Sequence, residues 1–159
     1  MPAPIVRVED LPPLLKGRGS LMALDLGTKT IGLAVSDDDR FVATPLKTLA
    51  RKKFGVDARA VLDLAAGRRV AAFVLGLPIN MDGNEGPRAQ ASRAFARNFA
   101  PLTDLPIALW DERLSTAAVE RVLVEQDVSR ARRAEVIDAH AAAFILQGAL
   151  DRLRAMSGR

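Results

Sequence analysis

The chain has 159 residues, the length of one ordinary domain, and 49% of them are hydrophobic, so it can bury a substantial core. It has no cysteine, which excludes disulfides, thiolate metal ligands and cysteine nucleophiles and fits the cytoplasm, where we expect the protein. A net charge of +4 suits either a nucleic-acid partner or an ordinary solvated surface. No apolar run reaches the roughly 18 residues of a membrane span, so we expect no membrane association.

The first third of the chain predicts an extension followed by three strands. Residues 1–19 carry acids and prolines and no continuous apolar segment, so we expect a mobile or loosely docked extension and no signal peptide. The strands are predicted over Leu21–Leu26, Thr30–Ser36 and Phe41–Leu49. Because short turns join them they should be antiparallel, and Pro45 places the third strand at an edge or a bulge.

The rest of the chain alternates helices with strands. Apolar residues at helical spacing and N-terminal signals predict helices, and short apolar runs predict strands. The predicted elements are helix 56–66, strand 70–75, helix 87–99, strand 107–110, helix 116–126 and helix 130–156. Strands separated by helices usually lie parallel. The sequence therefore predicts an α/β domain over residues 20–156, with a five-stranded mixed sheet, in the order 3-2-1-4-5, flanked by helices.

Carboxylates occupy three positions that suit them poorly. Asp25 interrupts the first strand, and the pair Asp111-Glu112 directly follows the last one. Asp138 is the only formal charge between residues 136 and 150. Each position has a structural explanation by itself: a turn cap for the first, a helix cap or a pair with Arg113 for the second, and an arginine partner for the third.

The three carboxylates together point to a metal site. Buried carboxylates without partners repel one another and take up protons, whereas a divalent cation such as Mg²⁺ or Mn²⁺ accepts oxygen ligands and removes the repulsion. Two such ions about 4 Å apart would activate water and stabilise a leaving oxygen in phosphodiester cleavage. Two inter-strand spacings, roughly 9.6 Å, separate Asp25 from the acids after the last strand. A long Glu side chain and bridging metals can span that distance.

Four segments of the chain resemble, in order, the conserved blocks of the YqgF/RuvX family, bacterial proteins of the RNase H-like superfamily. The segments are "LDLGTKTIGLAVSD", "LGLPINMDGNEGPRA", "WDERLSTAAVE" and "VIDAHAAAFILQ". The resemblance covers about residues 20–152 and implies an RNase H-like fold and a metal-dependent nuclease with Mg²⁺ or Mn²⁺ as its cofactor. By position, Asp25, Glu112 and Asp138 match the family's acidic ligands. Asp111, next to Glu112, stays an alternative.

The resemblance also indicates a substrate class. The family is described as maturing the 5′ end of pre-16S rRNA in ribosome biogenesis, and was earlier described as resolving Holliday junctions. Structured RNA is therefore the expected substrate, with branched DNA in recombination or repair as the alternative, for a protein that is a monomer or a homodimer. The chain has no aromatic ladder for stacking single-stranded bases, which also favours a structured substrate.

Three basic residues near these segments are candidate phosphate contacts. Lys29 lies in the turn after Asp25, Arg88 lies beside the helix N-terminus that follows the Gly76–Gly86 loop, and Arg113 follows Glu112. For Arg88 an ordinary strand-to-helix loop is the competing interpretation, whereas Arg113 could instead steady Glu112 and Lys29 could steady Asp25. The lone histidine, His140, does not share a helix face with Asp138, so we expect it to be a packing residue.

Two function classes compete with the nuclease. "DLGTKTIGLAV" also resembles the first phosphate loop of actin and sugar kinases, but those proteins need a second lobe for which this chain has no length. A nucleic-acid-binding module without catalysis is the other alternative, and the presence of all three acids argues against it.

Overall fold

The computed structural model describes residues 2–115 and 130–158, with side chains for 2–115 and 140–158. A six-stranded mixed sheet lies at its centre. The strands are β1 (Ile5–Arg7), β2 (Ser20–Leu26), β3 (Thr30–Ser36), β4 (Ala43–Ala50), β5 (Val70–Leu77) and β6 (Ile107–Asp111). The helices are α1 (Phe54–Ala66), α2 (Pro87–Phe99) and α3 (Arg130–Met156). Short 3₁₀ helices cover Val8–Asp10, Pro12–Leu14, Ala100–Leu102 and Glu112–Leu114.

The sheet runs in the order β1-β6-β5-β2-β3-β4. β2, β3 and β4 pair antiparallel, and β2, β5 and β6 pair parallel, which confirms the predicted order of five strands. β4 is an edge strand, as predicted from Pro45, and its register with β3 shifts between Leu33 and Ala34, where Pro45 stands opposite Ala34. The sheet has six strands and not five, because β1 adds a parallel edge strand beside β6.

The N-terminal segment is docked, which corrects the expectation of a mobile or loose extension. Ile5 pairs with Ile107 of β6, and Val8 and Leu11, in and after the first 3₁₀ helix, are fully buried. The backbone N–H of Ala3 donates to Ala100 O at 2.9 Å. The boundary drawn at residue 19 between extension and domain stays a prediction.

Alternation along the strands gives the sheet two buried faces. One face packs on α1 and α2, and the second packs on α3. In β2, Met22 and Leu24 belong to the α1/α2 side, whereas Leu21 and Ala23 belong to the α3 side. Continuing this alternation by one step places Asp25 on the α3 side of the sheet.

Several element boundaries differ from the predicted ones. β5 continues to Leu77, so the predicted loop over Gly76–Gly86 begins two residues later, at residue 78. α1 begins at Phe54 because the buried Asp57 carboxylate accepts the backbone N–H of Lys52 at 3.0 Å and stabilises the helix start. The predicted helix over 116–126 lies outside the described residues. Among the residues that the structure describes, no helix has both the length and the apolar content needed to cross a membrane.

Candidate active site

Asp25 is a buried carboxylate near the C-terminal end of β2. Its side chain is 1% exposed, and its Oδ1 lies 3.7 Å from Nη2 of Arg88 on α2. The following turn is closed by the main chain, where Gly27 N donates to Thr30 O at 2.8 Å. A buried carboxylate is costly unless cations or hydrogen-bond donors compensate its charge, and Arg88 is one such cation.

Arg88 connects α2 to the end of β2. Its Nη2 also donates to Leu26 O at 3.0 Å, and the side chain remains 41% exposed. Pro87 starts α2 at its first position, as predicted, so Arg88 lies in the first helical turn. The guanidinium therefore faces Asp25 on one side and solvent on the other, which suits it to meet an incoming anion.

The structure distinguishes the two acids after β6. Asp111 accepts the backbone N–H of Arg113 at 3.0 Å, and its Oδ2 accepts Arg113 Nη2 at 2.8 Å. Burial alone would raise the pKa of Asp111, but the hydrogen bonds from Arg113 outweigh burial and hold that pKa below its usual value. Asp111 thus caps the 3₁₀ helix and pairs with Arg113. Arg113 steadies Asp111, and its contact with a phosphate stays a prediction.

Glu112 is the acid that turns inward. Its side chain is 3% exposed. A Cβ built on Gly76 of β5 would lie 2.9 Å from Glu112 Oε2, so the carboxylate lies over β5. β2 and β5 pair in parallel up to Leu24 and Leu75, which puts Asp25 level with Gly76. The Glu112 carboxylate is therefore about one strand spacing, roughly 4.8 Å, from the strand that carries Asp25, half of the distance expected between their strands.

Hydrogen bonds from Arg51, which follows β4, hold the turn between β2 and β3. Lys29 is exposed at its tip, and Lys29 O accepts the backbone N–H of Arg51 at 2.9 Å. Nη1 of Arg51 donates to Gly27 O at 2.9 Å. Arg51 thus holds the turn beside Asp25 in place.

Hydrogen bonds within the loop between β5 and α2, and between this loop and α2, define its shape. Asp82 accepts the backbone N–H and the side-chain amide of Asn84, each at 2.9 Å, and Gly83 takes the left-handed φ of +92°. The chain therefore turns at Asp82-Gly83. Glu85 receives two hydrogen bonds from Arg93, at 2.6 and 2.8 Å, which fix the loop to α2.

An open groove of about 420 Å³ lies between this loop and the buried acid. It is lined by Pro78, Ile79, Asn80, Met81, Gly86, Pro87, Arg88, Glu112 and Arg113. A carboxylate from β6, two guanidinium groups and a helix N-terminus thus meet in one groove. Such a surface can bind a phosphate backbone next to the acids.

Two predicted positions lie on α3. Asp138 falls within the helix, but its side chain lies outside the described residues, so its role as a ligand stays a prediction. His140 is exposed, which corrects the expectation that it packs in the core. Among the described side chains no group of three or more candidate metal ligands occurs.

The two described acids fit a divalent cation. Both are more than nine-tenths buried, and the space above Gly76 holds an oxygen of Glu112 where a side chain would otherwise stand. Carboxylate oxygens in such a place are the ligands that Mg²⁺ and Mn²⁺ prefer. Sequence analysis missed Gly76 as part of the site, although it continues the inward series Ala72 and Val74 and so ends a buried strand without a side chain.

Comparisons with known proteins agree with the fold and with the conserved blocks. A family model described as "RuvX: Holliday junction resolvase" matches residues 19–152. A protein of Rhodopseudomonas palustris (strain BisB5) named "Putative pre-16S rRNA nuclease" is 65% identical over 157 residues, covering 99% of this chain and 98% of its own. A protein of the same name from Bradyrhizobium sp. (strain BTAi1 / ATCC BAA-1182) is 67% identical over 153 residues, covering 96% and 95%.

A solved structure shares the fold. The structure titled "T. thermophilus RuvC in complex with Holliday junction substrate" superposes with a TM-score of 0.55 over 86% of this chain and 96% of that chain, at 15% identity. At that identity the likeness concerns the fold alone, and it agrees with the RNase H-like expectation. With a family match over most of its length and relatives at about two-thirds identity, the chain belongs to the YqgF/RuvX family.

Proposed function

We propose that this protein is a metal-dependent endonuclease that hydrolyses phosphodiester bonds in structured RNA and processes the 5′ end of pre-16S rRNA. Membership of the family and the names of its close relatives support the nuclease and the substrate. The precursor-rRNA substrate and the absence of cysteine favour the cytoplasm as its compartment.

The observation that carries the proposal is the placement of two buried acids around Gly76. Asp25 and Glu112 come from strands on either side of β5, and the Glu112 carboxylate lies over β5. Two buried acids, one lining a groove with two arginines and the other 3.7 Å from one of those arginines, are typical of a catalytic site.

The acidic residues of the site would bind metal, and its basic residues would bind the substrate. Asp25 and Glu112, with Asp138 by family resemblance, would hold Mg²⁺ or Mn²⁺, which supplies charge neutralisation and a water of lowered pKa. Arg88 and Arg113 would bind the phosphate that enters the groove, and Lys29 would contact the backbone from the other side of Asp25. Because these contacts address phosphates and not bases, substrate choice would rest on shape.

The second candidate is cleavage of four-way DNA junctions. The family model that matches this chain is described as a Holliday junction resolvase, which favours this candidate. Symmetric cleavage of two strands needs two sites related by a two-fold axis, so this candidate predicts a homodimer, whereas RNA processing needs only a monomer.

A cleavage panel tests the proposal. The wild-type protein is incubated with a structured precursor-rRNA fragment and with a four-way DNA junction, each with Mg²⁺, with Mn²⁺ or with chelator. We expect cleavage of the RNA with metal, and loss of at least 100-fold in rate in Asp25→Asn. Asp63→Asn is the matched control, because Asp63 is an exposed acid on α1. Equal rates for Asp25→Asn and wild type would refute the metal-dependent site, and cleavage of the junction alone would favour the second candidate.

A further inference from the structure

Gly76 lies in the middle of the site, between the strand that carries Asp25 and the strand that leads to Glu112. A Cβ built on its backbone would lie 2.5 Å from Ile145 Cδ1 and 2.9 Å from Glu112 Oε2, closer than real Cβ atoms come to other heavy atoms. Its φ is outside the left-handed region. The glycine therefore supplies space and not an unusual backbone conformation, and glycines in strand interiors often mark such close approaches.

The two neighbours of Gly76 belong to different parts of the molecule. Ile145 is fully buried on α3 and packs with Val74 and Ala108, so its approach concerns helix packing. Glu112 belongs to the site. A side chain at position 76 would therefore meet a packing residue, Ile145, and a residue of the site, Glu112, and mutation of each neighbour separates the two effects.

We infer that Gly76 is a positioning residue of the active site: its missing side chain is the space through which the Glu112 carboxylate reaches toward Asp25. Without that space the carboxylate would have to turn back toward β6 or outward into the groove, and the acids would again be separated by about two strand spacings. The inference deepens the proposed function, and its metal-binding arm rests on that function.

The variants separate packing from positioning. Gly76→Ala introduces both conflicts. Ile145→Val removes Cδ1, the atom of the shortest contact, so Gly76→Ala/Ile145→Val keeps the conflict with Glu112 Oε2 at 2.9 Å and the looser approach of the residue 145 side chain, whose Cγ1 in isoleucine lies at 3.2 Å. Gly67→Ala is the matched control, since a Cβ at Gly67, the C-cap of α1, meets no other atom within 4 Å.

The first measurement is thermal melting without metal. Gly76→Ala should melt several degrees below wild type, because added methyl groups in a packed core force neighbours to move. Adding Ile145→Val should recover part of that loss. In a background that also carries Glu112→Ala, the remaining loss in melting temperature caused by Gly76→Ala should disappear, because the carboxylate then no longer fills the space above residue 76. An unchanged loss with and without Glu112→Ala would overturn the inference.

The second measurement is Mn²⁺ binding by calorimetry. Gly76→Ala/Ile145→Val should bind Mn²⁺ at least tenfold more weakly than Ile145→Val alone, and Gly67→Ala should bind as wild type does. Equal affinity for Gly76→Ala/Ile145→Val and Ile145→Val would show that Gly76 serves helix packing only. If the wild-type protein binds no Mn²⁺ and cleaves no RNA, the proposed function fails. The comparison of melting temperatures requires neither metal binding nor cleavage, so it still decides the role of Gly76.

Discussion

At the scale of single residues, the burial of two adjacent acids differs sharply. Asp111 and Glu112 are neighbours in sequence, yet one pairs at the surface with Arg113 and the other points into the sheet. Sequence analysis identified both as unusual, because acids rarely follow a buried strand without a reason. It left the choice between them open, because that choice depends on where the backbone turns after β6 and on the space above Gly76.

Arg88 is a residue through which substrate binding can be tested. It lies 3.7 Å from Asp25 and faces the groove. Arg88→Gln should weaken RNA binding about tenfold and reduce the slope of log K against log salt concentration by about 1, because one phosphate contact is lost. The measurement is fluorescence anisotropy with labelled RNA at several salt concentrations.

Arg97→Gln is the control for Arg88→Gln, since Arg97 is an exposed arginine on the same helix. It should leave both the affinity and the salt slope near the wild-type values. If Arg88→Gln and Arg97→Gln behaved alike, Arg88 would not contact substrate.

Asp111 predicts a pH dependence of stability. Its pKa in the folded protein is lowered, so the stability it contributes is present above its unfolded pKa of about 3.9 and is lost as pH falls through the folded pKa. Asp111→Asn should therefore lower the melting temperature at pH 7, by an amount equivalent to roughly 0.5–1 kcal/mol, and have little effect once the pH lies below the folded pKa of Asp111.

Thermal melts of Asp111→Asn and wild type across this pH range check the expectation. Asp10→Asn is the comparison, because Asp10 is an exposed acid in a surface pair with Arg7. A penalty for Asp111→Asn that did not change with pH would contradict an ionised Asp111–Arg113 pair.

At the scale of elements, the strands and helices with strong patterns were predictable and the weak ones were not. The order of β2 to β6 followed from short turns among the first three and helical crossovers among the rest. β1 was not predicted, because its three residues, Ile5–Arg7, lie close to Pro2 and Pro4 and carry no alternating pattern. Such a strand is specified by its pairing partner, here β6, and not by its own sequence.

The turn after β2 is an element whose shape depends on a distant arginine. Arg51→Ala removes the side-chain bond to Gly27 O but leaves the backbone bond to Lys29 O. It should cost about 1 kcal/mol of stability, because a charged donor to a partly buried carbonyl is lost. It should also reduce RNA cleavage several-fold, because the turn lies beside Asp25.

Lys52→Ala is the control for this turn, since the side chain of Lys52 is exposed next to Arg51. Melting and cleavage of the two variants are compared side by side. Equal effects of the two substitutions would mean that Arg51 acts only by its charge.

At the scale of the whole molecule, the N-terminal residues form part of the core beneath α3. Leu11 is fully buried in the same cluster as Ile145 and Leu146 of that helix. Leu11→Ala should therefore lower the free energy of unfolding by about 2–5 kcal/mol. Urea unfolding followed by fluorescence measures it, with Trp110 as the single tryptophan reporter.

Ile5→Ala provides the comparison, because Ile5 is 38% exposed on the edge strand β1. It should cost well under half as much as Leu11→Ala. Similar small costs for both would mean that the segment is only loosely attached in solution.

The pairing of β1 with β6 also constrains when the protein can become active. Ile5 leaves the ribosome early but can pair only after Ile107, and β6 is the strand that delivers Glu112. Contacts between such distant parts of a chain form late and slowly. A nascent chain therefore cannot bring Asp25 and Glu112 together until β6 has been synthesised, so the proposed site assembles only after most of the chain has been made.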